Sequence, residues 1–306
     1  MRGHLPKWLK VKIPTGSHFK SVQALLCSLK LNTVCDSARC PNRAECYGSG
    51  TATFMLLGAT CTRNCSFCAV NHGKPEPLDL SEPERVAEAV AKLDLRHAVV
   101  TSVTRDDLED GGAAQFAATV RAIKKHSPHT TVEILTPDFK GNEDSIKIAA
   151  DSLPDIFNHN IETVPRLYPL VRPQADYQRS LELLRFVKNR HPQMLTKSGL
   201  MVGLGESYEE VLETFGALKA VGCDIVTVGQ YLKPAEDRIE VVRYWNPTEF
   251  EGLRRDGEKL GFLAVYAGPL VRSSYLAASV FSRIKTPPSA TTDFNGSVNF
   301  GSPDKS

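Results

Sequence analysis

No stretch of the chain approaches the run of about 18 apolar residues that a membrane-crossing helix needs, so a helical span is excluded and no membrane partner is expected. The formal net charge is only +2, too little to gather a polyanion, so nucleic acid is not an expected partner. Basic residues concentrate only near the start, at Arg2, Lys7, Lys10, Lys12 and Lys20. They read as a solvated arm, with a docking surface for an acidic partner as the alternative. No apolar segment follows them, so no secretory signal is expected. The compartment expected is the reducing cytoplasm, or an organelle matrix if a transit peptide is missing. Clustered thiols there read as metal ligands rather than disulfides.

With 306 residues, 42% hydrophobic and 24% charged, the chain is an ordinary globular one, long enough for one large α/β barrel or two domains. Six of its eight cysteines fall into two triplets within 34 residues. Cys35, Cys40 and Cys46 are spaced C-x4-C-x5-C; Cys61, Cys65 and Cys68 are spaced C-x3-C-x2-C. Structural zinc would use four ligands, usually as paired C-x2-C knuckles, and that second knuckle is missing. Three thiolates in a tight loop suit three irons of a four-iron cluster, leaving one iron open. Phe67 precedes the last cysteine and suits either packing on a planar ligand or an ordinary core position.

From residue 51 onward, short apolar runs alternate with helical patterns. Strands are predicted at Thr51–Leu57, His97–Val103, Thr131–Leu135, Asp155–Ile161, Ser198–Leu204 and Asp224–Gly229. Helices follow at Glu82–Leu93, Ala113–His126, Glu143–Ser152, Tyr177–Asn189, Tyr208–Val221 and Glu249–Leu260. Six strand–helix repeats argue for parallel βα units, either as an open doubly wound sheet or as a curved partial barrel. Ser81…Glu84, Ser207…Glu210 and Thr248…Glu251 carry the hydroxyl-to-Glu spacing of capping boxes. Residues 1–50 are expected to be an N-terminal extension carrying the first triplet, 51–285 the α/β body, and 286–306, rich in Pro, Ser, Asn and Gly, a disordered tail.

Ligands of parallel α/β folds bind at the C-terminal ends of the strands. There the chain places the second triplet, Thr101 to Asp107, Thr136-Pro-Asp138, Asn158-His-Asn-Ile-Glu162, Gly203-Leu-Gly-Glu206 and Gln230-Tyr-Leu-Lys233.

A C-x3-C-x2-C loop with an aromatic before its last cysteine, after the first strand of a βα series, resembles the radical S-adenosylmethionine superfamily. The resemblance implies a partial (β/α)6 barrel and a [4Fe–4S] cluster on Cys61, Cys65 and Cys68 whose open iron chelates S-adenosylmethionine. The first triplet, Cys35-Asp-Ser-Ala-Arg-Cys40-Pro-Asn-Arg-Ala-Glu-Cys46, is similar to the auxiliary-cluster motif of the lipoyl synthase family. That resemblance runs over roughly residues 5 to 277. It takes in Gly48 to Phe54, Arg105-Asp-Asp-Leu108, Thr136-Pro-Asp-Phe139, Phe157 to Tyr168, Met201 to Glu206, Val228 to Pro234 and Arg272-Ser-Ser-Tyr275.

The family resemblance implies a second [4Fe–4S] cluster on Cys35, Cys40, Cys46 and Ser274, with Ser273 as the alternative oxygen ligand. A hard oxygen ligand makes one iron easy to lose, as a sulfur donor requires. It implies insertion of two sulfurs at C6 and C8 of a protein-bound octanoyl-lysine, with two S-adenosylmethionine molecules cleaved. Implied partners are octanoylated lipoyl carrier proteins (2-oxoacid dehydrogenase E2 domains and the glycine cleavage H protein), an electron donor such as flavodoxin or ferredoxin, and an iron–sulfur carrier for cluster repair. The strand-four run also resembles that of biotin synthase, which implies ribose contacts for Asn160 and Glu162 and leaves His159 structural. Gly203, Gly205 and Glu206 resemble the cofactor-proximal motif of strand five. Thr104 stands where an Asp is expected, and Cys27 and Cys223 match no cluster motif. Alternatives to this reading are a radical enzyme with another acyl or peptide substrate, and an electron or cluster carrier. A carrier would have no use for an open iron.

Overall fold

Runs rich in Val, Ile and Thr favour pleated, half-buried backbone, and the amphipathic stretches between them favour helix; the chain folds accordingly. The computed structural model describes residues 5–9, 17–48 and 51–274. The extension comprises helix α1 (Ser17–Ser28), strand β1 (Asn32–Thr33) and short helices α2 (Val34–Ser37) and α3 (Arg43–Gly48). The body begins with β2 (Thr53–Leu56) and a small ribbon of β3 (Thr60–Cys61) and β4 (Asn71–His72). Then come α4 (Glu82–Lys92), β5 (His97–Ser102), α5 (Ala113–His126), β6 (Thr131–Leu135), α6 (Glu143–Ala150) and β7 (Ile156–Asn158). The chain continues through α7 (Tyr168–Val171), α8 (Tyr177–Arg190), β8 (Leu195–Val202), α9 (Tyr208–Ala220), β9 (Ile225–Gln230), α10 (Pro247–Lys259) and β10 (Ala264–Gly268).

The eight-stranded sheet runs β1-β2-β5-β6-β7-β8-β9-β10. All its neighbours pair in parallel except β1, which pairs antiparallel with β2. This is the mostly parallel sheet of a partial barrel. The six expected strand–helix units are present, followed by a seventh parallel strand, β10, that the sequence reading did not anticipate. No helix among the described residues is long and apolar enough to cross a membrane. The tail expected to be disordered lies outside the described residues.

Two of the expected helix caps differ. Ser207 and Glu210 form the capping box of α9 as predicted. At α10 the box belongs to Asn246 and Glu249, with Pro247 in the first turn, because the helix starts two residues earlier than the Thr248 pattern suggested. Ser81 makes no cap bond. Its hydroxyl donates to Asp79 at 2.6 Å and accepts from Arg85 instead.

Period-two alternation sorts the strand side chains into two faces. Outer residues such as Val100, Ile134, Phe157 and Val228 pack beneath the helices in the main core. On the inner face, Ile156 and Ile225 pack with Leu195, Ala264 and Tyr266. One layer further along, toward the strand C-termini, the interior turns polar. Lys197 Nζ meets both oxygens of Glu133 at 2.9 and 3.0 Å, and Asn158 Nδ2 donates to the same carboxylate at 2.8 Å. One layer higher still stand Asn160 and Gly199, so the inner face passes from an apolar plug through a charged layer to a mouth of small and amide side chains.

Candidate active site at the C-terminal edge of the sheet

Parallel pairing places the C-terminal ends of β2 and β5 to β10 on one edge. The polar runs singled out in the sequence therefore gather there. The loop from Cys61 to Cys68 is fixed from all sides. Arg63, 6% exposed, donates to Asp106 at 2.7 and 2.9 Å and to Asp138 at 2.7 Å. Those carboxylates follow β5 and β6, so a single guanidinium bolts the cysteine loop to two strand ends. The Thr62 N–H and hydroxyl both donate to the Thr104 carbonyl at 3.0 Å. Asn64 N–H donates to Gln174 at 2.7 Å, Ser66 Oγ to the Leu170 carbonyl at 2.6 Å, and Ile239 N–H to the Ser66 carbonyl at 3.0 Å.

Backbone donors also aim at sulfur. Arg63 and Thr104 N–H lie 3.4 and 3.3 Å from Cys61 Sγ, and Val70 N–H lies 3.4 Å from Cys68 Sγ. Burial pushes Cys68 up to about 12 and also raises Cys65. Such thiols become thiolates when a bound cation takes the charge.

The first triplet sits in the extension. Cys35 lies in α2, capped by Thr33, which accepts from Asp36 N–H. Cys46 lies in α3, and Cys40 N–H donates to the Cys35 carbonyl at 3.1 Å between them. Asp36 anchors the pair of helices, accepting from Tyr47 and Arg43 at 2.5 Å each. Burial raises Cys35 to about 11 and Cys46 to about 12, and the neighbouring thiols of the triplet add to both. Two long-range bonds carry this loop to the barrel mouth. Arg39 donates to the Pro234 carbonyl at 3.2 Å, and Asn42 Nδ2 to the Leu270 carbonyl at 2.7 Å. Segment 270–274 follows β10 directly. Within it Ser273 Oγ donates to Asn160 Oδ1 at 2.8 Å, and Ser274 is half-buried beside it.

Asn160 Nδ2 donates in turn to Glu162 Oε1 at 3.0 Å. Glu162 adopts a left-handed φ of 66°, and burial raises its carboxyl while Arg172 opposes the shift. Arg172 donates to the Asn160 carbonyl at 3.0 Å and to Tyr168 at 3.1 Å, and its buried Nε has no partner. Its charge also bears on Cys65.

His159 Nδ1 donates to the Thr136 carbonyl at 2.9 Å. Burial lowers it to about 4, which favours the neutral ring. Phe67 is partly buried against the main core. Gly203 and Gly205 both have positive φ, 102° and 111°. Glu206 folds back onto its own turn, accepting from Gly203 and Leu204 N–H at 2.6 and 2.9 Å. Cys223 is buried with its thiol toward the Ile225 carbonyl, and Cys27 is exposed, so neither joins a triplet.

Among the described residues no three Cys, His, Asp or Glu side chains converge tightly enough to hold a single ion. Within each triplet the thiols are near neighbours that bear on one another electrostatically. A four-iron cluster takes one thiolate per iron and does not ask for such convergence.

The superfamily model for radical S-adenosylmethionine enzymes matches residues 55–218, and a model for the N-terminal domain of lipoyl synthase matches residues 1–40. Lipoyl synthase of Rubrobacter xylanophilus is 57% identical over 272 residues, covering 89% of this chain and 85% of the relative. That of Caldanaerobacter subterraneus is 56% identical over 272 residues, covering 89% and 95%. The chain belongs to the lipoyl synthase family. Among solved structures, methylornithine synthase (PylB) matches with a TM-score of 0.52 at 14% identity, covering 89% of each chain. Streptococcus suis SuiB bound to S-adenosylmethionine matches at 0.50 and 13%, covering 72% of this chain and 50% of that one. At such identities these two speak for the fold alone.

Lipoyl synthases are radical S-adenosylmethionine enzymes, and the chain takes that cofactor together with two [4Fe–4S] clusters. The residues fit these groups. Every cysteine of both triplets is a free thiol, N–H groups point at the sulfurs of Cys61 and Cys68, and a buried guanidinium N–H at Arg172 lacks an acceptor. The sequence reading missed Arg63 and Arg172. Asp106 and Asp138 were singled out only as members of polar strand ends, which was the available signal for the Arg63 bolt.

Proposed function

We propose that this chain converts a protein-bound octanoyl-lysine to lipoyl-lysine by inserting sulfur at C6 and C8, with Cys35, Cys40, Cys46 and Ser274 holding the cluster that donates the sulfur. The observation that carries this reading is the meeting of both triplets at one barrel mouth, joined through segment 270–274, in a chain whose relatives at 57% and 56% identity are lipoyl synthases. When bound, S-adenosylmethionine and the clusters supply reductive cleavage to methionine and 5′-deoxyadenosine and the sulfur itself.

The chain's own residues bind and orient. Cys61, Cys65 and Cys68 hold the cofactor-binding cluster, and Arg63 fixes their loop. Asn160 and Glu162 offer an amide and a carboxylate to a vicinal diol. The buried Nε of Arg172 has no partner and would suit a carboxylate. Phe67, Gly203, Gly205 and Glu206 shape the remaining wall. The Ser273 hydroxyl is engaged by Asn160, which favours Ser274 as the oxygen ligand. The division at residues 50 and 285 belongs to this reading: an extension carries the donor cluster to a body that generates the radical. The acyl substrate would come on E2 domains or the glycine cleavage H protein, with flavodoxin or ferredoxin as reductant and an iron–sulfur carrier for repair.

The test is anaerobic reconstitution with dithionite, S-adenosylmethionine and an octanoyl-lysine carrier peptide. Expected are a peptide mass gain equal to two sulfurs and formation of 5′-deoxyadenosine. Cofactor cleavage with an unmodified peptide would move the chain to another acyl or peptide substrate.

A further inference from the structure

Segment 270–274 lies inside the barrel mouth rather than across its rim, and two glycines make room for it. A Cβ at Gly229 would lie 2.0 Å from the Val271 carbonyl oxygen. One at Gly199 would lie 2.7 Å from Ser273 Oγ, 2.7 Å from Thr227 Oγ1 and 2.8 Å from Asn160 Oδ1. A side chain at Gly229 would collide with the segment's backbone, and one at Gly199 would push aside the Ser273, Thr227 and Asn160 side chains. What it meets there is Asn160, through the 2.8 Å bond from Ser273 Oγ. An amide oxygen has two lone pairs. Ser273 uses one of them and one amide N–H goes to Glu162, so Asn160 keeps one acceptor site and one N–H beyond these two bonds. The other end of the segment is held by Asn42, between Cys40 and Cys46.

We infer that Ser273 is a positioning residue that couples the cofactor pocket to the auxiliary cluster: cofactor bound at Asn160 steadies Ser273, and Ser273 steadies the neighbouring Ser274 ligand. This rests on the assignment of Asn160 to the cofactor and of Ser274 to the cluster. Coupling of this kind is reciprocal. Cofactor occupancy slows loss of the serine-ligated iron, and a firmly seated segment tightens cofactor binding. The device would hold the sulfur donor intact while a cofactor is in place.

The test uses the reconstituted protein without acyl substrate. Auxiliary-cluster iron is drawn off by an excess of chelator and followed by absorbance and by the electron paramagnetic resonance signature of a three-iron product, with and without S-adenosylmethionine. In the unmodified protein the cofactor should slow release about fivefold, the factor expected of one net hydrogen bond. Ser273→Ala should release iron at one rate whether or not cofactor is present and bind cofactor about fivefold more weakly. Ser273→Thr, which keeps the donor, should restore both effects. Equal protection by cofactor in Ser273→Ala and the unmodified protein would overturn the coupling while leaving the two-cluster reading intact. A protein that assembles only one cluster, or binds no cofactor, would overturn that reading and the coupling with it.

Discussion

Asn42 Nδ2 donates to the Leu270 carbonyl at 2.7 Å, across 228 residues of chain. Asn42 is 1% exposed and stands two residues after Cys40; Leu270 stands four before Ser274. The ligand set proposed above, drawn from both ends of the described chain, would depend on such a tie, because neither the loop nor the tail segment is held in regular structure at that point. Removing the amide leaves a carbonyl unsatisfied, at a cost of about 1–3 kcal/mol. Asn42→Ala should therefore assemble the Cys61/Cys65/Cys68 cluster normally and the other poorly. Iron should fall from about eight toward about four atoms per chain, with 5′-deoxyadenosine formation retained. Full iron with unimpaired sulfur insertion would show that the tie is dispensable.

The two triplets should separate on mutation. In Cys65→Ala the cofactor-binding cluster loses a thiolate, and both cofactor cleavage and sulfur insertion should vanish. In Cys40→Ala the loop pinned by Arg63 is untouched, so 5′-deoxyadenosine should still form while the peptide gains no sulfur. Product analysis by mass spectrometry checks both. Normal dithiolated product from Cys40→Ala would remove the first triplet from the role of donor. Alanine is the sharper replacement, since a serine oxygen could still hold iron.

Thr104 departs from the expected Asp, and the fold explains why the departure is tolerable. Thr104 serves the site through its backbone: its N–H lies 3.3 Å from Cys61 Sγ, and its carbonyl accepts from both Thr62 donors. Those bonds survive any ordinary side chain. Thr104→Asp leaves these backbone bonds in place and should change the rate of cofactor cleavage less than about threefold, on the order of 0.5 kcal/mol. A tenfold effect would mean that the side chain itself meets the cofactor.

The same contrast marks what could be read in advance. Strand ends and cysteine triplets are local patterns, so the six βα units and the polar edge were legible. The Arg63 bolt was not, because Asp106 and Asp138 lie 43 and 75 residues away and nothing in a single sequence pairs them. Helix α1 was not foreseen within the N-terminal extension, although Val22 and Leu26 form its buried stripe. Strand β10 is short and ends in Gly268, where strand propensity is weakest. At α10 two overlapping cap patterns competed, and Pro247 in the first turn decided for Asn246.

The charged layer under the mouth supplies a prediction with a sign. Burial alone would raise the Glu133 carboxyl, but Lys197, assisted by His97, brings it down to about 2. Its folded value is thus below the ordinary 4.5. The stabilisation is complete above that value and is lost as pH falls toward about 2, so between pH 5 and 8 it does not vary. Lys197→Met removes the countercharge and leaves desolvation in command, which lifts the folded value above the unfolded one and inverts the dependence. The variant should lose about 3–5 kcal/mol, on the order of 10 °C in midpoint for a chain of this size. The deficit should deepen as pH rises from 5 to 8, because the buried carboxylate must then ionise without a partner. Thermal unfolding of the reconstituted proteins across that range checks it: a variant midpoint independent of pH would mean that Asn158 and His97 hold Glu133 ionised without the lysine.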